Sequence, residues 1–307
     1  MKTDTLLERV GFLFAYYFIR AIMPGINNPD QDELMRLTYM LRIIFYGLIS
    51  LLIFSHAAVS NSTVVGDYQP FYDDVDQGLD DPTPQKPVVT QFGTKVLQLC
   101  GNWGSRVSPD RFEGELKSPT GMTVLTELRA RLDAEGLSYS DSKKGMIPLL
   151  KKVWFGANGF RHIFCGEPRT KKLGGLHYRG RYLQMQKKGW GGFDASCHRQ
   201  QISPPVYTIG LFYQRPDSSK GRSCVKGYSH SLDAEELFIE VTLAYLRIYG
   251  KDPENPNIKI KSGKTACRHK VVEDEYQYDA VFVAVPAGII TFYPIVDGTK
   301  PNMAICS

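Results

Sequence analysis

Apolar residues recur at helical spacing in some stretches of the chain and at strand spacing in others. In Thr123–Glu135, Val124, Leu125, Leu128 and Leu132 fall three and four residues apart and line one face of a helix that Gly136 ends. Ile147–Trp154 predicts a second, shorter helix, with Pro148 accommodated in its first turn, and most of 88–154 reads as helical. A third helix runs over Asp233–Tyr249, with Leu237, Val241, Ala244 and Ile248 as its inward stripe and Ser231 or Asp233 as its cap. Arg161–Cys165, Leu176–Gln184 and Val206–Tyr213 are rich in aromatic and β-branched residues bounded by Gly and Pro, and predict strands. Asp279–Val285 and Ile289–Tyr293 flank Pro286-Ala287-Gly288 as a hairpin. Helices first, then sheets with one interposed helix, give an α+β fold.

The pattern divides the 307 residues into four parts. Within residues 1–60, Arg36 and Arg42 precede the apolar run Ile43–Phe54, which leads into Ser55-His56-Ala57. A positive flank, a short apolar run and small residues before a cleavage point predict a secretory signal, with Met35 or Met40 as the expected true start. The alternative is a retained membrane anchor that also uses the run from Val10 to Met23. Residues 61–90 read as an acidic, proline-broken linker. Residues 91–155 form the helical N-terminal part, and 156–307 the remaining domain.

Charge follows the same division. Residues 1–57 balance at five basic and five acidic, 58–81 carry six Asp and no Lys or Arg, and 82–307 hold a net +11. A basic body suits a polyanion such as RNA. The six cysteines, all beyond the expected cleavage point, permit disulfides in an oxidising compartment. Fifteen complete pairings are open, and no CxxC spacing points to structural zinc.

The candidate chemistry centres on two histidines fifteen residues apart, in Arg161-His162-Ile163-Phe164-Cys165-Gly166-Glu167 and in Leu173-Gly174-Gly175-Leu176-His177. Glycines before His177 let the backbone turn sharply and approach a ligand. Two imidazoles around one phosphate can remove a proton on one side and deliver one on the other. A lysine beside them stabilises the charge that builds on the phosphate oxygens.

These phrases resemble the EndoU endoribonucleases, and the second is especially similar to that of the nidoviral uridylate-specific enzyme. Lys226-Gly227-Tyr228-Ser229-His230-Ser231 and Thr291-Phe292-Tyr293-Pro294 resemble the family's lysine and closing aromatic segments, so the likeness covers roughly residues 150–295. The resemblance implies an α+β fold with two antiparallel sheets flanking an active-site cleft, and cleavage of single-stranded RNA 3′ of uridines to 2′,3′-cyclic phosphate ends. It also implies His177 as base, His162 as acid and Lys226 as the cation, with Lys220 as the competing lysine. Ser229 and Tyr293 are expected to contact the pyrimidine, and Glu167 to orient His162 or hold a backbone turn. His230 departs from the nidoviral pattern.

Around this site, Arg179, Arg181, Lys187 and Lys188 are candidates for phosphate contacts, and Trp190 and Phe193 for a stacking platform or core packing. No cofactor is expected, with manganese at most stimulating. A zinc site on His162, Cys165 and His177 and a catalytically inactive RNA-binding module are the competing readings. Beyond RNA, partners are the membrane, through an uncleaved N-terminal segment, and an inhibitor protein if the enzyme acts as a toxin.

Overall fold

The computed structural model describes residues 68–75, 77–137, 145–250, 263–273, 275–296 and 302–306. The expected signal or anchor over residues 1–60 lies outside them. Residues 63–307 form one compact unit. No helix among the described residues is long and apolar enough to cross a membrane.

Four helices come first: α1 (Gln91–Cys100), α2 (Pro109–Leu116), α3 (Pro119–Ala134) and α4 (Met146–Phe155). Each of the first three begins at a hydroxyl that caps it, Thr90, Ser108 and Ser118, and proline opens α2 and α3. A single π-helical turn, Arg161–Cys165, leads into the short hairpin β1 (Glu167–Pro168) and β2 (Leu173–Gly174), then α5 (Arg179–Lys188). Next come β3 (Gly191–Phe193), β4 (Gln201–Ser203), β5 (Val206–Gln214) and β6 (Lys220–Ser229). β3 and β4 share one side of β5, and β6 pairs antiparallel along the other. Helix α6 (Ala234–Tyr249) starts in a reciprocal capping box between Asp233 and Glu236. It leads to a second antiparallel sheet, β7 (Thr265–Glu273), β8 (Tyr276–Val285) and β9 (Gly288–Ile295).

The α+β class and both antiparallel sheets agree with expectation, and three expectations change. Arg161–Cys165 is a helical turn, because Ile163 and Phe164 both bury completely, which an alternating strand does not do. The strand expected over Leu176–Gln184 does not form: β2 ends at Gly174 and α5 begins at Arg179. That helix was hidden because Arg181 occupies its inward face, fully buried beside Tyr182 and Met185. The described part of the expected linker is extended but docked: Phe71 and Tyr72 are fully buried, and both their amides donate to Gln186 Oε1 at 2.7 and 2.9 Å.

Packing also crosses the division at 155/156. Phe92, Phe112, Leu128 and Trp154 of the helices share one apolar cluster with Phe238 of α6 and Phe282 and Phe292 of the second sheet. A separate, tyrosine-rich cluster lies under the first sheet, with Tyr182, Tyr207, Tyr213 and Tyr228. Three disulfides, Cys100–Cys165, Cys197–Cys224 and Cys267–Cys306, use all six cysteines.

Candidate active site

The site is built on main chain before any side chain takes part. The π-helical turn carrying His162 follows Asn158, a left-handed residue (φ 65°), and ends at Gly166 (φ 74°). Cys165 is tied to Cys100 at the end of α1, with Cα atoms 5.2 Å apart. After the β1–β2 hairpin the chain returns across this turn. Leu176 N donates to His162 O and His177 N donates to Ile163 O, both at 2.8 Å. Gly175 (φ 59°) makes the crossing, and a Cβ there would lie 1.8 Å from His162 O, so no other residue fits. Leu176 is also left-handed (φ 77°), a strain of roughly 1–2 kcal/mol. Its fully buried side chain and its amide bond to His162 hold it there.

The two imidazoles end 5.9 Å apart, centroid to centroid. His177 is 7% exposed, and its Nδ1 donates to Gly227 O at 2.8 Å. A carbonyl only accepts, so Nδ1 carries the proton and Nε2 keeps a lone pair in the neutral ring. Burial, then the charges of Lys226 and His162, holds the imidazole well below its ordinary range and keeps it neutral. The Tyr293 ring stacks on it at 5.5 Å.

His162 is more open, with 24% of its side chain exposed. Its Nδ1 lies 3.3 Å from Glu167 Oε2. Glu167 is buried and also accepts from Arg169 at 2.6 Å and from the Asn158 amide. The hydrogen bond from His162, ahead of the charges around it, brings this carboxyl down to about 2, so it stays ionised.

Lys226 comes from β6, the outer strand of the first sheet. The β5–β6 register shifts between Ile209 and Gly210, which leaves Val225 as an extra residue just before the lysine. Such a bulge re-aims the side chain that follows it. Cys224, one residue earlier, is bonded to Cys197. Burial first, then the charge of Lys172, pushes the Lys226 ammonium down to about 8.

Not every expected residue reaches this point. Lys220 pairs with Gln214 at the far end of the β5–β6 hairpin, six residues from Lys226, with its ammonium over the Phe212 and Tyr68 rings. Strand geometry puts it about 20 Å along the sheet, so it is not a site lysine. Ser229 is 3% exposed, and its hydroxyl is bonded to that of Ser231 at 3.0 Å. Arg179 donates to His230 O, and the fully buried Arg181 donates to Cys165 O and Gly101 O from between the Trp103 and Trp190 rings. Neither tracks phosphates. Trp190 and Phe193 serve packing, the first stacked on Trp103 and the second 5% exposed. Lys187 and Lys188 are exposed in the last turn of α5. Cys165 is in a disulfide and is not available for the zinc alternative.

Sequence reasoning missed Asn158 and Arg169, which complete the Glu167 environment. Their only signal was proximity to the histidine phrase.

A neutral buried imidazole, a second imidazole backed by a carboxylate, and an ammonium beside them form the equipment of a phosphodiester-cleaving enzyme. Residues 156–296 match the family model of the bacterial EndoU nuclease. That match supports endoribonuclease activity on an RNA substrate. No curated protein matches the chain.

Proposed function

We propose that the chain cleaves single-stranded RNA on the 3′ side of uridines by attack of the substrate's own 2′-hydroxyl, leaving a 2′,3′-cyclic phosphate. The observation that carries this reading is the tautomer of His177. With Nδ1–H held by Gly227 O, Nε2 is a ready acceptor at neutral pH. It takes the 2′-hydroxyl proton as the 2′-oxygen bonds to phosphorus. His162 gives a proton to the departing 5′-oxygen, with ionised Glu167 behind its other nitrogen. Lys226 meets the negative charge on the nonbridging oxygens. Tyr293, stacked on the base histidine, supplies an aromatic face for the uridine.

Every proton in this scheme moves between protein and RNA, so turnover continues in a strong chelator and manganese acts only as a stimulant. Three disulfides among the described residues support export to an oxidising compartment. Product analysis on a defined oligonucleotide tests the reading. Cyclic phosphate ends after uridine, absent with His177→Ala, support it, and 5′-phosphate ends overturn it.

A further inference from the structure

Between the two histidines lies a feature that the proposed chemistry does not use. The tip of the β1–β2 hairpin reads Arg169-Thr170-Lys171-Lys172, all four exposed. From Glu167 to Gly174 the segment holds three cations and one carboxylate. That carboxylate, Glu167, is already shared by His162, Arg169 and Asn158. Lys171 and Lys172 form no ion pair with a described residue.

The hairpin is also placed with purpose. Its strands pair as Glu167 with Gly174 and Pro168 with Leu173, and β2 lies against β6, the strand of Lys226. The charge of Lys172 already disfavours the buried ammonium of Lys226. Gathering like charges beside a catalytic cation costs the empty protein stability, and a polyanion offsets that cost.

We propose that Lys171 and Lys172 hold the phosphate one nucleotide downstream of the cleaved linkage, a subsite that extends the reading of the previous section. Direction follows from the two sides of the site. The uridine face is Tyr293 on His177, whereas the hairpin springs from Glu167 and Arg169 behind His162, the leaving-group side. Reach follows from strand geometry. Lys171 stands two residues past the last pair and Lys172 one, about 7 and 3 Å, a stagger that extends from the Lys226 side toward the next phosphate.

The experiment compares binding of three oligonucleotides carrying 2′-deoxyuridine, which cannot be cut: UpA, UpApA with an added downstream phosphate, and ApUpA with an added upstream one. The full chain is used, as wild type and as the Lys171→Ala/Lys172→Ala variant. Wild type is expected to bind UpApA about tenfold more tightly than UpA at low salt, and the variant to lose most of that gain. The slope of log affinity against log salt for UpApA falls by about 0.7, one phosphate contact on a single strand. An unchanged gain in the variant overturns the subsite, and so does a loss confined to ApUpA. Because no cleavage is read, this result stands apart from the product analysis: a protein that fails to make cyclic ends can still show or lack the downstream contact.

Discussion

His162 and His177 lie ring to ring, yet their surroundings share almost nothing. His177 is enclosed, faces an uncharged carbonyl through one nitrogen and an aromatic ring through its flat side, and is kept neutral. His162 is partly open to solvent and faces an ionised carboxylate that is itself braced by an arginine and an amide. One environment suits a ring that accepts a proton from neutral substrate, the other a ring that hands one on. The proposed division of labour between identical side chains rests on what stands behind each Nδ1.

Substitutions that erase this contrast have the largest expected effect. His177→Ala and His162→Ala each lower kcat by about 10²–10⁴-fold, measured on a single-uridine oligonucleotide. With a substrate whose 5′-oxygen is replaced by a better leaving group, His162→Ala recovers activity and His177→Ala does not. Equal recovery in both breaks the assignment. Lys226→Ala lowers kcat by about 10²–10³-fold. The wild-type rate falls as pH rises through about 8, where Lys226 loses its proton, and Lys226→Arg, which stays charged, removes the lysine's share of that alkaline limb.

Glu167→Gln tests the other half of the contrast, with an expected loss of about tenfold to a hundredfold in kcat. It also has a stability signature. The Glu167 carboxyl is depressed in the folded chain from 4.5 to about 2. Its contribution is therefore present above pH 4.5 and lost as pH falls toward 2, about 3 kcal/mol in denaturant unfolding. The Gln variant lacks this portion of the acid loss. Tyr293→Ala is expected to raise KM about tenfold and to weaken uridine preference. Lys220→Ala, at the far end of its hairpin, leaves kcat/KM within about twofold, and a larger drop would return that lysine to the site.

How much of this was legible follows from which interactions are local. Both histidines showed in the sequence because the crossing beneath them demands Gly175, and a glycine pair before a histidine is visible. Helix α6 showed because its apolar stripe and its Asp233 cap obey ordinary helical spacing. Helix α5 did not, because its inward stripe includes an arginine held by the carbonyls of Cys165 and Gly101, partners distant in the chain or outside the helix. Lys226 was chosen over Lys220 by resemblance, and the structural ground for it is a bulge at Val225 that leaves no compositional mark. The hydrogen bond between Ser229 and Ser231, two residues on, is a local turn that the sequence pattern did not announce. The disulfide pairings were open because each bridge joins residues 27 to 65 positions apart.

The two amide-to-carbonyl bonds from the His177 strand to the His162 turn have a further consequence. The spacing of the acid–base pair is set by peptide groups, which every amino acid carries, and by one residue that lacks a side chain. Mutation elsewhere can therefore reshape the walls of the groove, its charge and its choice of nucleotide, while the gap between the imidazoles stays constant. The catalytic step and substrate choice are free to diverge separately in this scaffold.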